Sequence, residues 1–255
     1  MKRVRVAVDG QSLNGCLIEP DAPPPWPAML FAHGWGGSQR QDLGKARRLT
    51  ALGVASLTFN FRGHARTRRQ VDTVSRAHNL CDLLAAWDLL AATPGVENDR
   101  MGLVGASYGG YLSVLLTAER PVRFVALQAP AIYPDRDFDR PKLELNLDGQ
   151  LARYRRRKLD ADDNRVLTCA ARFPGHVLLV ESEHDTVVPR PVTRNYLRAF
   201  RRSAVSVVRH VVADADHGLG DRRCRREYSD VLVDWLASTL PASASRRRRS
   251  VSVAS

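Results

Sequence analysis

Gly105-Ala106-Ser107-Tyr108-Gly109-Gly110 stands between a short apolar run, Met101 to Val104, and Tyr111-Leu112-Ser113-Val114-Leu115-Leu116, which reads as a helix. A strand, a sharp turn with serine at its apex and then a helix is the context that makes G-x-S-x-G a nucleophile elbow. The turn is so tight that side chains two residues either side of the serine would collide with it, and Gly105 and Gly109 carry none. The serine is expected in strained backbone geometry, with its hydroxyl lifted clear of the sheet. Taken alone, the five residues also fit an ordinary glycine-rich turn; the flanking strand and helix favour the elbow.

Outward from the elbow, apolar runs alternate with helical patterns. Residues 2–8 and 12–18 read as a hairpin around Asp9-Gly10-Gln11. Ala28 to Ala32 is a continuous apolar run, as in a strand covered on both faces, and ends in His33-Gly34-Trp35-Gly36-Gly37. A helix over 42–52 stops at Gly53, and a strand over 54–61 follows. Leu80, Leu83, Leu84, Trp87 and Leu90 recur at the spacing of one buried helical face, ended by Pro94-Gly95. After the elbow helix come strands at 123–128, 177–180 and 205–212, with helices over 189–202 and 221–240. The pattern implies a mostly parallel sheet with helices on both faces. Residues 131–173 break it: they are charged, with weak helical signals at 143–154 and 165–171, and are long enough to cap a site. The stretch 241–255 is rich in Ser, Ala and Arg and is expected to be disordered. The domain is thus expected to span 1–240.

The composition is that of a soluble globular chain, 44% hydrophobic and 26% charged over 255 residues. No apolar run approaches the roughly 18 residues of a membrane span, and no signal-peptide core follows Met1, so a cytoplasmic location is expected. Cys16, Cys81, Cys169 and Cys224 are scattered and read as free thiols; no cluster has metal-ligand spacing. The net charge of +12 would attract polyanions, but no nucleic-acid-binding motif or interleaved aromatic platform accompanies it. A solvated arginine-rich surface with no specific nucleic-acid partner is the reading. Nothing in the sequence defines an oligomeric state.

A serine hydroxyl needs a base, a carboxylate to orient that base, and donors for the oxyanion. His217, in the loop after the last strand, is the candidate base; His210 lies within the strand and fits less well. Asp185, after strand 177–180, is the candidate acid. Glu183, two residues earlier, and Asp135, after the preceding strand, are its rivals. One oxyanion donor is the Tyr108 N–H, at a helix N-terminus. The other is the Trp35 N–H in the glycine-rich loop after strand 28–32.

The order Ser107, Asp185, His217, with His33-Gly34-Trp35-Gly36-Gly37 early and the elbow centrally, resembles the α/β-hydrolase superfamily over roughly residues 10–240. Ser107-Tyr108-Gly109-Gly110-Tyr111, the segment Phe59 to His64, and Glu183-His184-Asp185 leading to Val188-Pro189 are similar to its compact dienelactone-hydrolase and acylaminoacyl-peptidase-like group. The resemblance implies an α/β-hydrolase fold with about eight strands and a short cap. The chain departs from that group at Asn60 and Ala65, where Asp and Gly are usual. It carries no N-terminal propeller of the kind larger peptidases of the group use to select oligopeptides. The expectation is therefore a serine hydrolase of carboxylic esters, acting on a small-molecule acyl substrate without metal or organic cofactor. An amidase or peptidase, a thioesterase or an acyltransferase on the same residues is the alternative, and a non-catalytic scaffold a further one.

Overall fold

The computed structural model describes residues 1–146 and 149–240. The tail expected at 241–255 lies outside the described residues. Eight strands form one sheet in the spatial order β1 (Lys2–Val8), β2 (Gln11–Ile18), β4 (Ala55–Phe59), β3 (Trp26–Ala32), β5 (Val96–Ala106), β6 (Phe124–Gln128), β7 (His176–Ser182), β8 (Ser206–Val212). The β1–β2 and β2–β4 pairs are antiparallel, and every other neighbour is parallel.

The two faces follow from side-chain alternation along the strands. Ala28, Leu30 and Ala32 of β3 join one core, with α2 (Arg76–Ala91), α3 (Ser107–Leu116), α5 (Arg165–Arg172) and α6 (Arg190–Phe200). Met29 and Phe31 join the other, with α1 (Leu43–Leu49) and α7 (Arg222–Thr239). Strands β4 and β6 are buried at every position, as expected for central strands covered on both faces, with Ser56, Thr58 and Gln128 as their polar members. The α2 stripe of Leu80, Leu83, Trp87 and Leu90 is buried, and Ser75 caps the helix by accepting the His78 N–H at 3.1 Å.

Residues 131–173 divide into a 3-10 turn (Lys142–Asn146), α4 (Gln150–Arg155) and α5. Val166, Leu167 and Ala170 of α5 are wholly buried, so this helix belongs to the core. Buried Arg76 ties the segment down by donating to the carbonyls of Pro134 and Arg136 at 2.5 and 2.6 Å.

Strand β3 has β4 on one side and β5 on the other. The chain builds outward in one direction from β3 and then, after α2, in the opposite one. Crevices open at such a reversal beyond the C-terminal ends of the strands. Ser107 leaves the end of β5 there, beside the His33-Gly34 turn at the end of β3.

Candidate active site

Strand β5 ends at Ala106 and α3 begins at Ser107, whose φ is 48°. A non-glycine residue is strained in that region. The surroundings hold it: the Ala131 N–H donates to the Ser107 carbonyl at 2.9 Å. A Cβ on Gly105 would come within 2.6 Å of both the Gly110 Cα and the Ser113 Oγ. The backbone of Gly34 passes over the serine, since a Cβ there would lie 3.5 Å from the Ser107 Cβ.

The loops after β7 and β8 bring in the other two side chains. His217 Nδ1 lies 2.7 Å from Asp185 Oδ2, and His217 Nε2 lies 3.0 Å from Ser107 Oγ. A carboxylate only accepts, so the proton sits on Nδ1 and the Nε2 lone pair faces the serine hydroxyl. The other Asp185 oxygen, Oδ1, accepts the N–H groups of Val187 and Val188 at 2.8 and 2.7 Å. The carboxylate is therefore fixed on both sides, and its side chain is only 7% exposed.

The structure thus brings Ser107, His217 and Asp185 together and leaves their rivals elsewhere. Asp135 accepts the Arg165 N–H at 2.7 Å, at the start of α5. His210 pairs with Glu227 at 2.8 Å. Glu183 acts on the loop that carries His217: it accepts the Asp214 N–H at 3.0 Å, and the His184 N–H donates to the Ala215 carbonyl at 2.9 Å. Glu183, His184 and Asp214 bring potential ligand atoms within 4.8 Å of one another at the surface. Those groups already serve the loops, and Asp214 also pairs with Arg223 at 3.0 Å.

Gln128, at the end of β6, is a site residue that sequence reasoning missed. Its Nε2 donates to the His217 carbonyl at 3.0 Å and so holds the histidine from a third loop. Its one sequence signal is a polar side chain closing an apolar run.

Trp35 borders the same cavity as Ser107 and His217, a space of about 1010 Å³. Among the described residues, no acceptor takes the Trp35 or Tyr108 N–H. The Tyr108 side chain is fully buried and its hydroxyl donates to Asn79 at 2.9 Å, so only its backbone can serve substrate. His33 is locked: its Nδ1 lies 2.8 Å from the Gly34 carbonyl and its Nε2 accepts the Phe61 N–H at 3.2 Å. Burial pushes its imidazole below the ordinary value. His64, against Trp35 and His33, is held down to about 4 by burial and by the neighbouring His33.

Behind Trp35 sits a buried lysine that sequence reasoning did not single out. Lys142 is 4% exposed, and its Nζ lies 4.3 Å above the Trp35 ring, with Tyr108 and Tyr133 nearby. No carboxylate pairs with it among the described residues. Burial first, then the Arg155 and Arg76 charges, bring its amine down to about 7. No helix among the described residues is long and apolar enough to cross a membrane.

Comparison with known proteins adds to this geometry. Est1E from Butyrivibrio proteoclasticus, solved with ferulic acid bound, superposes with a TM-score of 0.73 at 19% identity, covering 92% of this chain and 98% of that one. Dienelactone hydrolase from Anabaena variabilis gives 0.65 at 21% identity, covering 94% and 98%. The protein Rv2307c of Mycobacterium tuberculosis is 27% identical over 122 residues, 48% of this chain and 42% of that relative, so the match spans less than half of its length. At these identities the solved structures speak for the fold. The model of the prolyl oligopeptidase family matches residues 44–242. With an α/β-hydrolase fold and a family model matched over most of its length, the chain belongs to the prolyl oligopeptidase family.

Proposed function

We propose that the protein hydrolyses carboxylic esters through an acyl-enzyme on Ser107. The observation that carries this reading is the hydrogen-bonded series from Asp185 through His217 to Ser107, at 2.7 and 3.0 Å. His217 Nε2 takes the hydroxyl proton as Oγ attacks the acyl carbon. Asp185 steadies the imidazolium that forms. The Trp35 and Tyr108 N–H groups receive the oxyanion, each worth on the order of 3 kcal/mol in the transition state. His217 returns the proton to the leaving atom, and water repeats the cycle on the acyl-enzyme. No step calls for a metal or an organic cofactor. Four unpaired cysteines fit a reducing, cytoplasmic setting.

The esterase structure with a bound phenolic acid supports an acid-releasing reaction on a small molecule. The family's name favours a second reading, amide cleavage on the same residues. The test is a panel of p-nitrophenyl esters against aminoacyl amides, run on the wild type and on Ser107→Ala, with fluorophosphonate labelling mapped by mass spectrometry. Ester turnover that vanishes in Ser107→Ala, with the label on Ser107, is the expected result. Turnover that survives the substitution overturns the proposal.

A further inference from the structure

The cavity that holds Ser107 and His217 is bordered by Lys45, Arg48, Arg222, Arg225 and Arg226, against a single acidic side chain, Asp42. A second cavity of about 930 Å³ adjoins it across Gly36, Gly37 and Gln41. Its border carries Arg3, Arg5, Arg40, Arg66 and Arg68, and no acidic residue. The two spaces therefore share one rim, with cationic side chains on both sides of it.

Some of these charges are occupied. Lys45 pairs with Asp42 at 2.9 Å and Arg48 with Asp230 at 2.6 Å. Arg225 donates to the carbonyls of Leu219 and Gly220, bracing the loop behind His217. No carboxylate pairs with Arg222, with Arg226 or with the five arginines of the second cavity among the described residues. Elsewhere on the surface arginines do find acids, as in Arg120–Asp88, Arg140–Glu144 and Arg209–Glu181. A concave surface of one sign focuses its field on whatever enters it.

The position of the charges selects the part of the substrate they meet. In the mechanism above, His217 hands its proton to the leaving atom, so the leaving group lies on the His217 side. From His217 the chain runs through Gly218 and Leu219 to α7, of which Arg222 is the first residue. Arg226 follows four residues on, on the same helical face. This pair therefore flanks the departing group. Guanidinium forks match phosphate oxygens two at a time, and charges spread over two cavities match several phosphates better than one carboxylate.

We infer that the substrate is an acyl ester or thioester whose leaving group bears several phosphates, with Arg222 and Arg226 holding the nearer phosphates and the arginines beyond Gly36-Gly37 the farther ones. This rests on the serine-hydrolase mechanism proposed above. The bond from Ser107 Oγ to the acyl carbon forms as the carbon–oxygen or carbon–sulfur bond breaks. The leaving atom takes the proton from His217. The phosphorylated alcohol or thiol departs at this step, and water then splits the acyl-enzyme into a carboxylic acid and free Ser107.

The test compares butyryl-coenzyme A with butyryl-pantetheine, which has the same thiol end without phosphates, alongside p-nitrophenyl butyrate. The expected kcat/KM ratio of the first to the second is about tenfold or more at about 50 mM salt, falling toward one by about 300 mM as screening removes the phosphate contacts. Arg222→Ala with Arg226→Ala should bring the low-salt ratio close to one. Arg201→Ala with Arg202→Ala removes the same charge from the exposed end of α6, outside both cavities, and should leave the ratio standing. Equal losses in the two double variants would reduce the effect to net charge and overturn the inference. A wild-type ratio near one, with Ser107-dependent hydrolysis of p-nitrophenyl butyrate intact, would overturn the substrate class alone. So would a preference for p-nitrophenyl hemisuccinate over p-nitrophenyl butyrate larger than the coenzyme A ratio, which moves the anion to the acyl side. Absence of all turnover and of fluorophosphonate labelling would remove the mechanism; calorimetric binding of free coenzyme A then decides the cationic rim. Binding weakened about tenfold by the α7 pair upholds the site, and no binding overturns it.

Discussion

A methyl group on Gly109 would lie 2.1 Å from the carbonyl oxygen of Ala32. The first turn of α3 is therefore pressed onto the C-terminal end of β3. This contact sets the spacing between Ser107 and the loop that offers the Trp35 N–H. Gly109→Ala must force the two apart. The expected cost is about 1–3 kcal/mol of stability from overpacking, with a loss of kcat of about a hundredfold for a shift of roughly 1 Å. Gly110→Ala should be milder, because its nearest contacts would be at 3.2 Å. Urea unfolding and ester turnover check both; equal behaviour of the two variants contradicts the argument.

Asp185→Asn keeps the shape of the site but leaves Nδ1 of His217 without a carboxylate. A fall in kcat on the order of 10³–10⁴-fold is expected, with little change in melting temperature. Asp135→Asn should alter kcat by less than about threefold, its carboxylate serving the start of α5, where a cap is worth about 1 kcal/mol. Steady-state kinetics on one activated ester ranks them, and the reverse order would transfer the acid's role to Asp135.

Lys142 makes stability depend on pH. Its amine is brought from 10.5 down to about 7 in the folded chain. Between those values the unfolded chain holds a proton that the folded one lacks, so stability rises with pH through this window. Below about pH 7 both states are charged and the full desolvation penalty stands, offset in part by the contact with the Trp35 ring. Lys142→Met should therefore raise stability at pH 6, on the order of 3 kcal/mol, and much less at pH 10. Thermal melts at the two pH values decide; an equal gain at both would show that charge is not the cause.

Ala65 stands in the left-handed region, at φ 49°. Holding a non-glycine residue there costs about 1–2 kcal/mol, while glycine costs about 0.5–1 kcal/mol in the unfolded chain. Ala65→Gly should stabilise the protein by a net of up to about 1 kcal/mol. Chemical denaturation measures this directly, and a destabilised variant would mean that the alanine methyl makes a contact worth more than its strain.

The central strands β3, β4, β6 and β7 were readable because each is a run of buried residues with turn residues beyond its end. The elbow was readable because steric exclusion leaves a glycine at two fixed offsets from Ser107. Choosing between Asp185 and Asp135 was harder, since both follow a parallel strand and only the fold says which loop faces His217. Gln128 had no local signature at all: its role lies in a hydrogen bond to a carbonyl far along the chain. Lys142 had no sequence signal either, since its burial depends on the aromatic faces of Trp35, Tyr108 and Tyr133 converging from three segments. The helix α5 was faint because it is short and its buried residues are flanked by arginines at both ends.

His217 lies 110 residues beyond Ser107, and β6, β7 and β8 all enter the sheet between them. During translation, a nascent chain that has already folded its elbow carries a hydroxyl with nothing to accept its proton. The hydrogen bond between the two side chains can therefore form only once the last strand has docked.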